Sequence, residues 1–575
     1  MTAHASLALL ATALALLCGV NALPESPLNG WVLADDVLPN ATAPFTFTLA
    51  LRPARPDALA TAFDAITDPS NATGQFRRYL DDDAIRALVT PPGAREDAAA
   101  RAVRRWLRTV LPAAGGSDEF TVAPLGPHGD LLAVTAPVHA VERLFGGAAL
   151  RAWRHPRREG PGATTLVRAA GPAPRVPPAL APWVRAVHGV ADKLPVPPRR
   201  LGLGPAGDTV GKNDYPGVLV NPTVLAAQYH ISNPDGGYDA DAPGQGIAAF
   251  EDAQFRQTDV TAFDKAYGLP HVTVKVSGPN DGGYFGEAGL DTQYLPASGR
   301  GLPTWFLSQE TFDMTSWCTK VLGMRDGERP SVLSVSWGSG ESGFEPDHMK
   351  TANACFQKAA LKGISIFTAS GDQGTGAKGG PFGFGCKKFD PTWPATSPYL
   401  TAVGGTYLDK TGGDGTEHAW AGSGGGFSAL MDRPSWQEDT VDAYLNASGS
   451  ALPSAGLWTR TGRAIPDVAA LATNFQIYSG GSVYGTLTGT SAATPTFAGL
   501  VAAVNALRAK DGKATVGFVN PVLYKAGAHL GFDVTDGNNK NPSCPAGFPA
   551  RAGWDAVSGL GTPTFDKLKE LLLED

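Results

Sequence analysis

Short apolar runs alternate with helical patterns along the chain from about residue 221 to its end. Five runs are mainly apolar, as strands buried on both faces are, and they lie at 246–250, 332–338, 364–367, 400–405 and 468–471. Helical patterns lie near 259–267, 310–324, 346–361 and 494–508. This alternation predicts an α/β domain whose parallel sheet is covered by helices on both faces.

The segment 23–192 has a different pattern and a different charge. Strand-like runs at 45–50, 120–122 and 131–136 are interleaved with segments at 58–66 and 138–145, an order that fits a ferredoxin-like α+β domain. Residues 23–200 contain 21 Lys and Arg against 17 Asp and Glu, whereas residues 201–575 contain 26 against 37. The two parts therefore carry opposite net charges and attract each other.

The start of the chain and the segment after the N-terminal domain are predicted to be processed. An apolar run at 7–17 precedes Val20-Asn21-Ala22, as in a secretory signal cleaved after Ala22. The Pro- and Gly-rich stretch 193–208 contains Arg199-Arg200, so we expect an exposed linker cut between about 195 and 215. The predicted parts are a signal peptide (1–22), an N-terminal domain (23–192), a linker (193–215) and a main domain (216–575).

We expect the mature protein to be soluble, monomeric and secreted, or delivered to an acidic vacuole or lysosome. No later stretch reaches eighteen apolar residues without a charge, so no membrane span is predicted. Acceptor sequons for glycans begin at Asn40, Asn71 and Asn446. The main domain is acidic and has no basic stripe, which argues against nucleic-acid binding.

A serine at the start of a helical pattern is the first candidate for chemistry. Gly489-Thr490-Ser491 leads into small and apolar residues, so the hydroxyl would lie among free backbone N–H groups at the positive end of a helix. This setting suits an acyl-transfer nucleophile, but a lone serine there is more often a simple N-cap. The nucleophile interpretation therefore needs a base and an oxyanion partner.

The candidate base is a carboxylate. None of the ten histidines lies in the His-Gly-Thr-His setting that marks a subtilisin base. Glu287 and Asp291 are four residues apart, so a helix would place both carboxylates on one face. Such a pair shares a proton, and one member can act as a general base in acid. The alternative is two solvated acids on a surface helix.

Asp372 is the candidate oxyanion partner. It follows an apolar strand and is flanked by glycines in Gly371-Asp372-Gln373-Gly374. Ligands of parallel α/β sheets bind at the carboxyl ends of the strands, where Asp372 would lie. A protonated aspartic acid at that position can donate a hydrogen bond to a developing oxyanion.

Glu287, Asp291, Asp372 and Ser491, in this order, resemble the sedolisin family of serine-carboxyl peptidases. The motifs E-x-x-x-D, S-G-D and G-T-S-x-x-x-P are specific as a set, and the resemblance covers nearly the whole chain. It implies a subtilisin-like α/β fold in which Ser491 is the nucleophile and Glu287 the general base. By the same resemblance, Asp291 orients Glu287, and Asp372 is the oxyanion acid.

The resemblance also covers a propeptide and a substrate cleft. Arg78-Tyr79-Leu80 and Arg105-Trp106-Leu107 resemble the family's inhibitory, pro-kumamolisin-like propeptide; the alternative is an ordinary N-terminal domain with an Arg-rich solvated face. Trp337-Gly338 and Ser423-Gly424-Gly425 look like walls of a cleft for an extended peptide backbone. Packing turns are an equally good interpretation of these residues.

A calcium loop is implied near the C-terminus. Carboxylates and loop carbonyls suit hard, six-coordinate Ca²⁺ better than zinc. The resemblance assigns one ion to the side chains of Asp533 and Asp555 and to the carbonyl oxygens of Val534, Arg551 and Gly553. The family usually has glycine where Arg551 stands, and the alternative is a plain Asx turn.

Four cysteines remain once Cys18 leaves with the predicted signal, which allows two disulfides with three possible connectivities. In the family, a cysteine shortly after the Ser-Gly-Asp strand pairs with one near the metal loop. The resemblance therefore implies Cys386–Cys544 and leaves Cys318 with Cys355.

Taken together, the resemblance implies a secreted zymogen that matures to an acid peptidase and cleaves protein or peptide substrates through an acyl-enzyme. The stretch 291–295 and Thr304-Trp305 look closest to the tripeptidyl peptidase branch, which releases tripeptides from free N-termini. An acid endopeptidase is the second interpretation, because exo restriction depends on how the cleft is closed. A catalytically silent binding protein would be expected to have lost one of the four residues, and no Asp-Thr-Gly or Asp-Ser-Gly pair supports an aspartic peptidase.

Overall fold

The structure is a computed structural model of the chain. It describes residues 31–34, 39–53, 55, 57–89, 97–110, 120–146, 149–154, 166–169, 176–191, 217–232, 238, 242–251, 253–280, 286–378, 385–410, 415–527 and 530–574. The predicted signal peptide 1–22 and linker 193–215 lie outside the described residues. The chain divides into a first compact unit, Met1–Ala50 with Ala99–Ala123 and Leu132–Pro197, and a second, Leu51–Ala98 with Pro124–Leu131 and Pro198–Asp575.

The described helices and strands have the following bounds. The helices are α1 Ala58–Thr67, α2 Asp82–Val89, α3 Asp97–Val110, α4 Val138–Leu144, α5 Pro222–Gln228, α6 Gln257–Tyr267, α7 Gly286–Ser298, α8 Met314–Leu322, α9 Pro346–Leu361, α10 Glu438–Ser448, α11 Thr490–Lys510, α12 Asn520–Ala526 and α13 Phe565–Leu572. The strands are β1 Val32–Leu33, β2 Pro44–Leu51, β3 Thr121–Pro124, β4 Leu131–Pro137, β5 Leu150–Arg154, β6 Leu166–Ala169, β7 Val184–His188, β8 Gln245–Phe250, β9 Lys275–Ser277, β10 Thr304–Gln309, β11 Val332–Val335, β12 Ser339–Gly340, β13 Ser365–Ala369, β14 Thr392–Trp393, β15 Thr401–Leu408, β16 Glu417–Ala419, β17 Gly426–Asp432, β18 Gly462–Ile465, β19 Val468–Leu471, β20 Phe475–Ser479, β21 Ser482–Leu487, β22 Gly531–Phe532 and β23 Thr562–Pro563.

The first unit contains a four-stranded sheet in the order β3-β4-β2-β7. Along the chain its elements run β2, α3, β3, β4, α4, β7, so the first strand lies between the third and fourth. This is the order of the β-α-β-β-α-β, ferredoxin-like arrangement, and it confirms the α+β prediction. A smaller antiparallel sheet, β1-β5-β6, completes the strands described for this unit.

The centre of the second unit is an eight-stranded sheet. Its order is β16-β15-β13-β11-β8-β10-β9, and β19 also pairs with β15. All neighbouring strands are parallel except the edge strand β16, which is antiparallel to β15. Every residue of β8, β11, β13 and β19 is buried, so the apolar runs correctly predicted buried parallel strands.

Two helix starts differ from the sequence prediction. The helix predicted at 310–324 begins at Met314, because the Asp313 carboxylate accepts the N–H groups of Thr315 and Ser316 and so caps the helix there. The helix predicted from residue 494 already begins at Thr490. Within the described residues, no helix is both long and apolar enough to cross a membrane.

One face of α9 is covered by residues from the N-terminal part of the chain that belong to the same second unit. Leu59 and Phe63 of α1 and Ile85 of α2 form one buried cluster with Leu361 and Phe518. Phe63 makes an edge-on ring contact with Tyr399 at 5.0 Å. We call this set of contacts the α9 interface.

The same interface contains ion pairs in which α9 and the loop that follows it supply the cations. Lys358 pairs with Asp130 at 2.7 Å, and its side chain is only 3% exposed. Lys362 pairs with Asp82 at 2.6 Å, and Asp82 is also bonded to the buried His128 ring at 3.0 Å. Acidic residues of the N-terminal part thus neutralise lysines on the main domain.

Candidate active site

Ser491 lies in the first turn of α11 and is 1% exposed. The N-cap residue is Gly489 rather than Ser491, so the simple N-cap interpretation of the serine does not hold. The Ser491 hydroxyl donates to the main-chain oxygen of Ser336 at 3.4 Å, and it lies close enough to Glu287 to have a lowering effect on the pKa of that acid. The hydroxyl is therefore placed to lose its proton to a carboxylate.

Glu287 and Asp291 lie one turn apart on α7, a helix whose thirteen residues are all buried. The two acids are 7% and 1% exposed, so they are not solvated surface acids. Burial raises the pKa of Glu287 well above its usual value, and the neighbouring Asp291 charge raises it further. Burial likewise raises the pKa of Asp291 well above its usual value. The pair therefore holds a proton under conditions in which solvated carboxylates would have lost theirs.

Gly499 allows α11 and α7 to approach closely. A Cβ atom at this position would lie 2.7 Å from the main-chain oxygen of Leu295 and 2.7 Å from the Ser298 Cβ atom on α7. Backbone atoms cannot move aside as the end of a flexible side chain does, so a larger residue would push the helices apart. The glycine thus helps to bring Ser491 on one helix to the acid pair on the other.

Asp372 follows β13 and is held next to the nucleophile by Thr490. Its Oδ1 atom accepts the Thr490 N–H at 2.6 Å and the Thr490 hydroxyl at 2.9 Å. Its Oδ2 atom is shielded from solvent and has no hydrogen-bond partner among the described residues. Burial raises the pKa of Asp372 to about 6, against the lowering effect of the bonds from Thr490. In acid, the Oδ2 atom is thus available to carry a proton.

Gly489 leaves room for that carboxyl group. A Cβ atom on Gly489 would lie 3.0 Å from Asp372 Oδ2, closer than almost any real side-chain contact. The glycine of the Gly-Thr-Ser motif is therefore explained by space beside Asp372. Its φ of 167° is extended backbone and requires no special residue.

Two residues at the site were not singled out by the sequence. Thr490 anchors Asp372 through its N–H and its hydroxyl. Ser336, at the carboxyl end of β11, donates its hydroxyl hydrogen to Asp291 Oδ1 at 2.8 Å. The position of Ser336 after a buried parallel strand, beside Trp337-Gly338, was the available signal.

The predicted cleft residues Trp337 and Gly338 are packed against other parts of the second unit. Trp337 is 7% exposed and meets the ring of Phe250 edge-on at 5.6 Å. A Cβ atom at Gly338 would lie 2.7 Å from the main-chain oxygen of Trp393. Packing explains both residues, and their contact with substrate stays a prediction.

The second predicted wall, Ser423-Gly424-Gly425, is also held by close contacts. The Ser423 hydroxyl donates to the Val557 oxygen at 2.7 Å. A Cβ atom at Gly424 would lie 1.9 Å from the Ser370 oxygen, and one at Gly425 would lie 1.9 Å from the Ala556 oxygen. These glycines let the turn pass next to the strand end that carries Asp372, and their role toward substrate stays a prediction.

The predicted calcium ligands lie in two segments that a hydrogen bond joins. The Gly553 N–H donates to Asp533 Oδ2 at 2.9 Å, and the Arg551 N–H donates to Asp555 Oδ2 at 2.9 Å. Only Gly553, with φ of +82°, needs the left-handed region, so the backbone tolerates a side chain at Arg551. Val534 follows Asp533 directly, and its side chain is 1% exposed.

This all-oxygen donor set fits a hard cation. The set consists of two carboxylates and three carbonyls. Among the described residues, no group of three or more Asp, Glu, His or Cys side chains could hold a metal ion. The buried Asp555 already accepts N–H groups on both oxygens. The residues therefore fit Ca²⁺ in type, and the ion itself belongs to the proposals below.

One of the two expected disulfides is present. Cys386 is bonded to Cys544, which confirms that pairing. The expected Cys318–Cys355 bond is wrong: both residues are buried free cysteines, on α8 and α9 respectively. Cys355 Sγ lies 3.6 Å from the Thr319 hydroxyl. In the helix interface they act as small apolar side chains rather than as a cross-link.

Comparisons with known proteins agree with this geometry. Residues 29–192 match the family described as Pro-kumamolisin, activation domain, and residues 307–520 match the Subtilase family. The Pseudomonas sedolisin, a serine-carboxyl proteinase solved with two molecules of pseudo-iodotyrostatin, aligns with a TM-score of 0.50 and 26% identity. That alignment covers 62% of this chain and 98% of the sedolisin chain.

Curated relatives are similar over almost their full length. Tripeptidyl-peptidase 1 of Rattus norvegicus is 34% identical over 568 residues, which is 95% of this chain and 94% of the relative. Tripeptidyl-peptidase 1 of Homo sapiens is 33% identical over 564 residues, with the same coverage. These similarities agree with the fold and with the arrangement of the four residues. The chain therefore belongs to the sedolisin family of serine-carboxyl peptidases and is a serine-type peptidase with tripeptidyl-peptidase 1 enzymes among its relatives.

Proposed function

We propose that this peptidase is a secreted, acid-activated zymogen whose mature form releases tripeptides from free N-termini through an acyl-enzyme on Ser491. The observation that carries the proposal is the convergence of three elements on one turn. The Ser491 hydroxyl lies beside the Glu287 side chain of α7, while Asp372 at the end of β13 accepts hydrogen bonds from the adjacent Thr490.

The proposed reaction begins with proton transfer from Ser491 to Glu287. The Ser491 Oγ atom then bonds the scissile carbonyl carbon, and the carbonyl oxygen becomes an oxyanion that the protonated Asp372 stabilises by a hydrogen bond. Glu287 returns the proton to the leaving amine as the C–N bond breaks. Water repeats the sequence on the acyl-enzyme, with Glu287 again as base, and Asp291 shares the proton that Glu287 gains.

The role of Asp372 predicts the alkaline limit of activity. An acid whose pKa is about 6 is protonated below that pH and loses its donor hydrogen above it. Asp372→Asn keeps an oxygen for Thr490 and supplies an N–H that does not ionise, so we expect activity to persist to higher pH. The measurement is kcat/KM against pH for wild type and variant with one peptide substrate.

Asp372→Ala is the matched variant without a donor. Below about pH 6 it should lose about 10²–10³-fold in kcat relative to the wild type, as removal of an oxyanion donor does in other hydrolases, and the difference should shrink at higher pH, where the wild type also loses its donor hydrogen. An Asp372→Asn profile with the same alkaline limb as the wild type would exclude the donor role.

The tripeptidyl specificity is supported by the relatives that match over most of both chains and are named tripeptidyl-peptidase 1. The test is mass spectrometry of acid-treated protein on one peptide with a free N-terminus and on the same peptide acetylated. Tripeptides released only from the free N-terminus are the expected result. Internal cuts in both peptides would make the enzyme an endopeptidase instead.

We propose residues 23–192 as the propeptide, 193–215 as the linker that is cut and 216–575 as the peptidase.

The α9 interface supports an acid-sensitive association of the proposed propeptide with the peptidase. Burial alone would raise the pKa of Asp130 and of Asp82, but their lysine partners lower each below its usual value. Such pairs stabilise the interface above the usual carboxyl pKa, and that contribution is lost as pH falls through the lowered values.

We further propose one structural Ca²⁺ in the loop of Asp533 and Asp555, where a bound cation would neutralise the two carboxylates and stiffen the loop. Chelation should then lower the melting temperature of the wild type by a few degrees, because a ligand bound only by the folded state stabilises it. Asp533→Asn keeps the acceptor for Gly553 but removes one charge, so its melting temperature should respond little to calcium or chelator.

Asp536→Asn is the control for the calcium loop. Asp536 lies in the same loop, but its carboxylate is 58% exposed and bonds the ring of His418 at 2.7 Å. This variant should respond to calcium like the wild type. Equal calcium responses of Asp533→Asn and the wild type in thermal melting would remove Asp533 from the ligand set.

A further inference from the structure

Ser336 lies between the nucleophile and the acid pair. Its hydroxyl donates to Asp291 Oδ1 at 2.8 Å, and its Oγ atom is 3.4 Å from the main-chain oxygen of Ser491. Its own main-chain oxygen is 3.4 Å from the Ser491 hydroxyl. The residue is 4% exposed, so it makes these contacts away from water.

We infer that the Ser336 hydroxyl is a positioning residue of the peptidase: by donating to Asp291 Oδ1 it fixes the carboxyl group that shares a proton with Glu287. The inference rests on the proposed roles of Glu287 and Ser491. It adds a hydroxyl on the sheet to a site otherwise built from the two helices α7 and α11 and the end of β13.

The hydrogen bond leaves a specific pair of oxygens for the shared proton. Asp291 Oδ1 is occupied by Ser336, whereas Asp291 Oδ2 is shielded and has no hydrogen-bond partner in the described part of the chain. Glu287 Oε1 is likewise shielded and has no hydrogen-bond partner among the described residues. Since buried carboxyl oxygens rarely stay unbonded, these two atoms are the ones left for the proton that the acids share.

The Ser336 hydroxyl also affects the pH at which Glu287 and Asp291 together hold one proton rather than two. Burial raises the pKa of both acids, and the Ser336 hydroxyl, which donates to Asp291, has a smaller lowering effect on both. Glu287 can accept the proton of Ser491 only if the pair is not already doubly protonated. Ser336 therefore keeps the pair able to accept a proton at more acidic pH than burial alone would allow.

A packing role for a buried serine is the competing explanation, and the chain offers a control for it. Ser334 lies two residues back on β11 and is completely buried. Its hydroxyl has no hydrogen-bond partner among the residues that the structure describes. Ser334→Ala thus removes a buried hydroxyl from the same strand without touching the acid pair.

The test compares Ser336→Ala, Ser336→Thr and Ser334→Ala by kcat, KM and the pH dependence of kcat on a peptide with a free N-terminus. Ser336→Ala should lower kcat by about tenfold or more, the usual effect of losing a hydrogen bond to a charged group. KM should change less than about twofold, and the acidic limb should move to higher pH. Ser336→Thr, which keeps the hydroxyl, should restore kcat and the limb, and Ser334→Ala should match the wild type.

Equal kcat and equal acidic limbs for Ser336→Ala and Ser334→Ala would overturn the inference. If Ser336→Ala fails to fold, Ser336→Cys replaces it, because a thiol keeps the volume but donates weakly. A Ser336→Cys enzyme with wild-type kcat and pH profile would likewise overturn it. Ser491→Ala, measured beside them, tests the proposed function separately from the role of Ser336. If Ser491→Ala retains activity, the proposed mechanism fails whatever the Ser336 variants show.

Discussion

Replacing Ser491 by alanine is expected to lower kcat for peptide hydrolysis by about 10⁴–10⁶-fold, as loss of the nucleophile does in other serine peptidases. The other two hydroxyls described at the site donate to carboxylates, that of Ser336 to Asp291 and that of Thr490 to Asp372. Glu287 lies next to the Ser491 hydroxyl, but it is a buried acid with a raised pKa, and its proposed role is that of the base. The alanine leaves the fold intact, since it removes one oxygen from the first turn of a buried helix.

The measurement is a rapid-mixing experiment with an ester substrate in acid. Wild type should release the alcohol in a burst equal to the active sites, followed by slower turnover of the acyl-enzyme. The variant should show neither burst nor turnover, with an unchanged melting temperature. A burst in Ser491→Ala would assign the covalent intermediate to a different residue.

Glu287→Gln is expected to lower kcat by about 10⁴-fold while making the protein more stable at neutral pH. The amide is nearly the same shape but cannot accept the Ser491 proton, and general-base catalysis contributes up to about that factor. Stability changes in the opposite direction for an electrostatic reason. In the wild type, burial and the Asp291 charge raise the pKa of Glu287 well above that of an unfolded glutamate.

The sign of the stability effect follows from proton binding. A carboxyl whose pKa is raised by folding destabilises the folded state once pH exceeds the unfolded value, and the penalty grows until pH passes the folded value. Glu287→Gln removes that penalty, so its urea midpoint should exceed that of the wild type near pH 7 and equal it near pH 4. Asp291→Asn, measured as a companion, should gain stability in the same way but lose less activity.

A loss of both activity and stability in Glu287→Gln would contradict this account. It would mean that the carboxylate holds the α7–α11 contact together rather than acting as a base. A variant that is inactive but more stable is the outcome specific to a catalytic acid whose burial destabilises the folded state.

The sequence was sufficient to predict the parts of the site that depend on local periodicity. The spacing of Glu287 and Asp291 determines a shared helix face, and the apolar run before Asp372 determines a strand end. The small and apolar residues after Ser491 predicted a helix start at that serine, and α11 begins at Thr490. The family resemblance implied the Cys386–Cys544 bond, and the structure contains it.

Contacts that depend on tertiary distance could not be predicted in the same way. Ser336 reaches Asp291 only because β11 lies in the middle of the sheet, a neighbour relation that the order of the strands along the chain does not reveal. Cys318 and Cys355 sit on two packed helices, and counting cysteines cannot tell adjacent thiols from bonded ones. The need for glycine at 499 also arises from helix–helix distance alone.

The α9 interface has a consequence for the enzyme once it is mature. Leu59, Phe63 and Ile85 belong to the same hydrophobic cluster as Leu361 and Phe518, so the peptidase completes its packing with residues that lie before the proposed cut. Once the proposed propeptide is removed, the mature enzyme would lack these residues, against which it packed as it folded. Its lifetime would then depend on a high barrier to unfolding rather than on equilibrium, and an unfolded mature chain would not refold.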